Sequence, residues 1–126
     1  MTAVNQGSVL KLPGYTAAAD LTTHQYKFVE IVAGTRTVNV ANATTDKPIG
    51  VLVNKPKAGE AVEVVIVGIV EVVAGETLAE GDQITTSATG LALNDVPGAA
   101  PLMWFGRVLS GGALNELVTA AVNCVF

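Results

Sequence analysis

One histidine, His24, and one cysteine, Cys124, are the first places to look for chemistry in this chain of 126 residues. Zinc bound here would have to take most of its ligands from carboxylates, because no second histidine or cysteine exists to complete a nitrogen and sulfur set. His24 sits in a Thr-Thr-His-Gln context and reads as a hydrogen-bonded or exposed strand-end histidine. A Cys–His nucleophile needs an activated thiolate, and Cys124, in "VNCVF", has no charge beside it. It reads as a small buried hydrophobe near the end of a terminal strand. A lone cysteine also forms no internal disulfide, which suits a reducing cytoplasm. The acidic groups Glu60/Glu63 and Glu76/Glu80/Asp82 have the residue types of an acid–base pair or a calcium cage. They fall at turns flanking strands, where solvated carboxylates are ordinary and discourage edge aggregation. No enzyme activity is expected.

Two stretches imitate known sites. "GETLAEGD" frames a loop with glycines, but five residues separate Gly75 from Gly81, and Asp82 stands where a phosphate-binding loop places its lysine. A carboxylate there repels phosphate. "TTDKPIGV" presents Lys47 much as lipoyl carrier domains present their modified lysine, and "AEGDQI" superficially supplies the later Gly-Asp segment. The half preceding Lys47 lacks a matching Gly-Asp segment, and Pro48 replaces the small residue usual after the lysine.

The balance of residues points away from nucleic acid, membrane and small-molecule partners. Seven Lys and Arg are scattered singly in a chain of net charge −4, so no basic stripe can neutralise phosphates. No apolar run reaches the ~20 residues that span a bilayer; the best candidate, 61–74, carries Glu63, Gly68 and Glu71. Residues 1–10 have neither a basic residue nor an apolar run of the kind a secretory signal needs. Half of the residues are hydrophobic, and the mean hydropathy is +0.49. The excess is Val and Ala rather than aromatic, which favours β-structure and close subunit packing over a ligand pocket or cofactor site.

One domain is expected at this length. Residues 1–20 are small and polar apart from Val9, Leu10 and Leu12, and read as an extended arm preceding a core over 21–126. Strands are predicted over 26–31, near 37–41, and over 49–54, 62–73, 83–86, 91–93, 103–109 and 117–125, with turn signals between them. Gly68 marks a kink or bulge in the long central strand. Short strands at this regular spacing, with no convincing helical period, define an all-β barrel or sandwich. The segment 61–73 is nearly all Val and Ile, so both of its faces are apolar. Val62, Val64, Ile66, Val70 and Val72 are assigned to the core. Val65, Val67, Ile69 and Val73 then meet either a neighbouring subunit or a second layer of the same fold.

Three segments, "HQYKFVEI", the stretch from Lys47 through "PIGVLVNKPKAGEAVEVVIVGIVEVVAGETLAEGDQITTSATGLA", and "FGRVLSGG…NELV", resemble in order and spacing the capsid cement (head decoration) proteins of tailed bacteriophages. The matching residues include Gln25, Tyr26, Val29, residues 48–52, 54–56 and 58–60, Gly68, Gly81, Asp82, Gly106, Arg107 and Leu109. The likeness covers roughly residues 20–126 and departs at 95–105 and over "LNELVTAAVNCVF". It implies a β-tulip or jelly-roll-like module without enzymatic activity. Such a protein sits on the outer surface of the virion, having spent assembly in the host cytoplasm. There it clamps neighbouring major capsid subunits against DNA pressure, commonly as a homotrimer. On that reading the interface candidates are Val9, Leu10, Leu12, Val65, Val67, Ile69, Trp104 and Phe105, with Trp104 serving equally well as core. Two other roles stay open: another virion β-module, such as a tail or fibre part, and the carrier domain with Lys47 modified.

Overall fold

Residues rich in Val, Ile and Thr form ten strands in the computed structural model, which describes residues 9–42, 47–87, 89–94 and 105–124. In chain order they are β1 (Leu10–Lys11), β2 (Thr16–Ala17), β3 (Phe28–Val32), β4 (Thr37–Val40), β5 (Gly50–Leu52), β6 (Val64–Val73), β7 (Gln83–Thr86), β8 (Ala92–Asn94), β9 (Gly106–Ser110) and β10 (Leu117–Asn123). There is no helix among the described residues, so the protein is all-β. The strands make one sheet in the order β2-β4-β3-β5-β6-β10-β9-β7-β8, with β1 attached to β6 off that path. This path is open, not a closed barrel. Two single bridges curl it instead: Thr16 with Ala61 at one end, and Ala74 with Ala92 at the other. Both ends of the sheet therefore return to the flanks of β6.

Part of the segment expected as an arm is built into this sheet. Leu10 and Lys11 pair with Val67 and Val65, and Thr16 and Ala17 pair in parallel with Thr37 and Val38. Ala17 is buried with Leu21, Val29, Val38 and Leu52. Residues 1–8 lie outside the described residues.

The central strand serves two cores. Passing from the pair Lys11–Val65 to the pair Leu10–Val67 takes one step along β1 but two along β6, so Ile66 is the extra residue of a bulge. Ahead of it, Val62 and Val64 enter the smaller cluster with Leu52 and Val29, while Val65 faces the other way into the larger one. At the bulge Ile66 joins Val65 on that same side, and Val70 and Val72 follow into the larger cluster with Phe28, Phe105, Val118, Ala120 and Val122. Phe28 and Phe105 centre this cluster, their tilted rings 6.2 Å apart. The residues assigned from sequence to a single core face thus divide between two clusters.

The strand also bends sharply. Tyr26 donates its backbone N–H to Leu52 O (2.6 Å), opposite the start of β6, and accepts at its own carbonyl from Val73 N (3.0 Å), at the end of β6. One residue can reach both only if β6 folds back over β5. Gly68 lies in this bend at φ +148°, with Val9 Cγ2 only 3.2 Å from where a Cβ would stand. Tyr26 itself holds φ 66°, a costly conformation for a bulky side chain that the two hydrogen bonds keep in place.

Candidate interaction surface

The residues that suggested chemistry are committed to structure. His24 is half-buried, donates its backbone N–H to Leu21 O (3.0 Å) and has Nδ1 3.4 Å from Lys27 Nζ. Burial, then the Lys27 charge, push its pKa below the ordinary value, with Asp20 opposing. Burial pushes the Cys124 thiol up to about 12, so it stays protonated at neutral pH. No group of three or more His, Cys, Asp or Glu is placed to hold a metal among the described residues. There, too, no buried side-chain nitrogen or oxygen lacks a hydrogen-bond partner.

The carboxylates expected to be merely solvated are instead ties on turns. Glu60 Oε1 accepts from Lys57 N (2.7 Å), Glu76 Oε2 from Asn94 N (2.7 Å), Glu80 Oε2 from Gly111 N (2.7 Å) and Asp82 Oδ2 from Ala79 N (2.9 Å). The Gly111 N–H holds the Glu80 carboxyl below its usual range. In "GETLAEGD" the amides of Gly75, Leu78, Ala79, Gly81 and Asp82 all donate within the chain, so they are not turned together toward a phosphate. Lys47 is exposed, beside residues 43–46, which lie outside the described residues.

The interface candidates separate into three groups. Val65 and Phe105 are core residues, 4% and 3% exposed. Their assignment to an outer surface is corrected: the bulge keeps Val65 with Ile66, and Phe105 packs on Phe28. Val9, Leu12 and Val67 are half-buried against the larger cluster. Leu10 and Ile69 are exposed, at 53% and 40%. Trp104 lies outside the described residues.

Ile69 does not stand alone. Directly opposed residues of antiparallel strands share a face, and the registers place Ile69, Ala121 and Arg107 in one row. Glu71 and Thr119 form the next row, and Val73 and Leu117 the one after. Their alternates, Val70, Val72, Val118, Ala120 and Val122, all point into the core. Leu109 is exposed where the β9–β10 register shifts. Of the six large hydrophobics exposed among the described residues, Ile69, Leu109 and Leu117 lie on this face and Leu114 in the turn leading into β10. Sequence reading found Ile69 by alternation along its own strand. It missed Glu71, which lies on that same alternation, and Leu109, Leu117 and Arg107, which join the patch only through cross-strand register.

The ends of the sheet, by contrast, are covered. Along β8, Gly75 N donates to Ala92 O (2.8 Å) and Glu76 takes the Asn94 N–H. Along β2, Ala17 N donates to Glu60 O (2.9 Å) and Gly59 N to Ala17 O (2.9 Å).

An open, doubly curled all-β sheet with an apolar outer face defines a class of architecture. No protein-family model matches the chain, and no curated protein matches it. Among solved structures it is similar to the head fiber gp8.5 N base in bacteriophage phi29, with a TM-score of 0.70 and 21% sequence identity. That match covers 91% of this chain and 94% of the other, so the fold is shared almost from end to end.

Proposed function

We propose that this protein is a structural component of a tailed-phage particle, seated on the outside of the head, where it clamps neighbouring major capsid subunits as a capsid cement protein. The end-to-end fold match to a phage head fiber base carries this reading. The ordered motif set resembling the cement proteins, from Gln25 through Arg107, supports it from a separate direction. A clamp needs rigidity and area. The tied turns at Glu60, Glu76, Glu80 and Asp82 give the first, and the outward face of β6, β10 and β9 the second. Copies associate with one another, as a homotrimer, so that many weak contacts on a symmetric lattice add through effective concentration.

A second reading, the base of a head fibre, is favoured by the identity of the fold match itself. Both are tested on purified particles. Quantitative mass spectrometry should find this chain in a simple lattice ratio to the major shell protein; its absence from particles rejects both readings. Particles lacking the protein should then rupture at lower temperature if it is a cement. Unchanged rupture with the protein present in the wild type would reject the clamp and leave the fibre base.

A further inference from the structure

We infer that the outward face of β6, β10 and β9 is where copies of this chain meet in solution, with Glu71 of one copy set against Arg107 of the next. The inference deepens the self-association proposed above and rests on it for the choice of partner. Three observations select a second copy as the occupant. First, the face is largely apolar, with Ile69 and Ala121 in one row and Val73 and Leu117 in another on either side of Glu71 and Thr119, and exposed large hydrophobics concentrate on and beside it. Second, it carries opposite charges at opposite margins: Glu71 on the β6 side, Arg107 on the β9 side, both exposed.

Two inter-strand spacings and two residues separate those charges, roughly 12 Å between Cα positions at ordinary sheet spacings. A surface with opposite signs at opposite margins can join head to tail, the Glu71 margin of one copy meeting the Arg107 margin of the next, and a threefold rotation closes such contacts into the homotrimer proposed above. Third, both end strands of the sheet are covered by their own chain, so association by adding strands at those ends is blocked and the face remains. The Arg107 side chain, whose Nη1 donates to Gly81 O (2.9 Å), is held at the β9 margin of the patch.

The test is sedimentation and native mass spectrometry of the purified chain across a concentration series. It compares the wild type with Glu71→Arg, Arg107→Glu and the double reversal. The wild type should associate, each single reversal should weaken association about tenfold or more, and the double reversal should recover most of the loss. Leu117→Lys, exposed on the same face and remote from the Arg107–Gly81 bond, should give a folded monomer, and serves if Arg107→Glu fails to fold. A wild type that stays monomeric, single reversals without effect, a double reversal no better than the singles, or an associated Leu117→Lys would each overturn the inference. None of these outcomes touches the particle measurements, so the assignment to the head and the choice of face fail separately.

Discussion

The two halves of β6 have nearly the same composition and opposite circumstances. Residues 62–65 have chain on both sides: Val62 and Val64 in the smaller core, Val65 in the larger. Past the bulge at Ile66, Val70 and Val72 are inside while Ile69 and Glu71 face out. An unbroken run of β-branched residues is what a strand with two covered faces requires, and it is also what an interface strand looks like. Composition alone does not separate the two. The N-terminal segment does, because Leu12, Tyr15 and Ala17 pack in the cluster of Val62 and Val64, while Leu10 and Val9 reach only as far as Val67 and Gly68.

The sharpest way to break this comparison is to place the same charge in each half. Val65→Glu buries an unpaired carboxylate in the larger core and should cost more than about 4 kcal/mol, enough to unfold a domain of ordinary stability. Ile69→Glu, on a side chain already 40% exposed, should cost about 1 kcal/mol or less while dissociating copies. Urea denaturation of both variants reads the difference. Equal destabilisation would mean that the two halves are not distinct.

How far this was legible in the sequence follows from where each signal lives. β7 falls on the predicted 83–86, and β10 begins at the predicted Leu117, because period and turn residues are local. β1 and β2 were read as an arm because each is two residues of polar-flanked chain, and their reasons for being strands sit in β6 and β4. Residue type predicts a kink or bulge at Gly68, and the kink is there. The bulge lies at Ile66 because pairing with β1 sets it, while Gly68 serves the bend. The outward patch is legible along β6, at Ile69 and Val73, while its members on β9 and β10 are placed only by cross-strand register.

The bend offers a finer test. Gly68→Ala should cost about 1–3 kcal/mol, because φ +148° disfavours any side chain. The new Cβ would also press on Val9. If the bend is what lets Tyr26 reach both Leu52 and Val73, amide exchange at Val73 should accelerate more than at Val65. Uniform acceleration along β6 would detach the bend from Gly68.

The smallest expected effect concerns His24, at the foot of that same tie. Its folded pKa lies below the ordinary value of 6.5, from burial first and the Lys27 charge second, with Asp20 opposing. The unfolded chain therefore binds this proton more readily than the folded one. Stability from this group is complete above the unfolded pKa, declines as pH falls through it, and levels off below the folded pKa. His24→Asn keeps an acceptor near the Nδ1 position and removes the titration. Its melting temperature should fall less than that of the wild type between about pH 7.5 and pH 5. Carboxylates such as Asp20 and Glu80 titrate in both proteins, so the difference between the two curves isolates the histidine. Parallel curves would show that neither burial nor the Lys27 charge biases His24 in the folded protein.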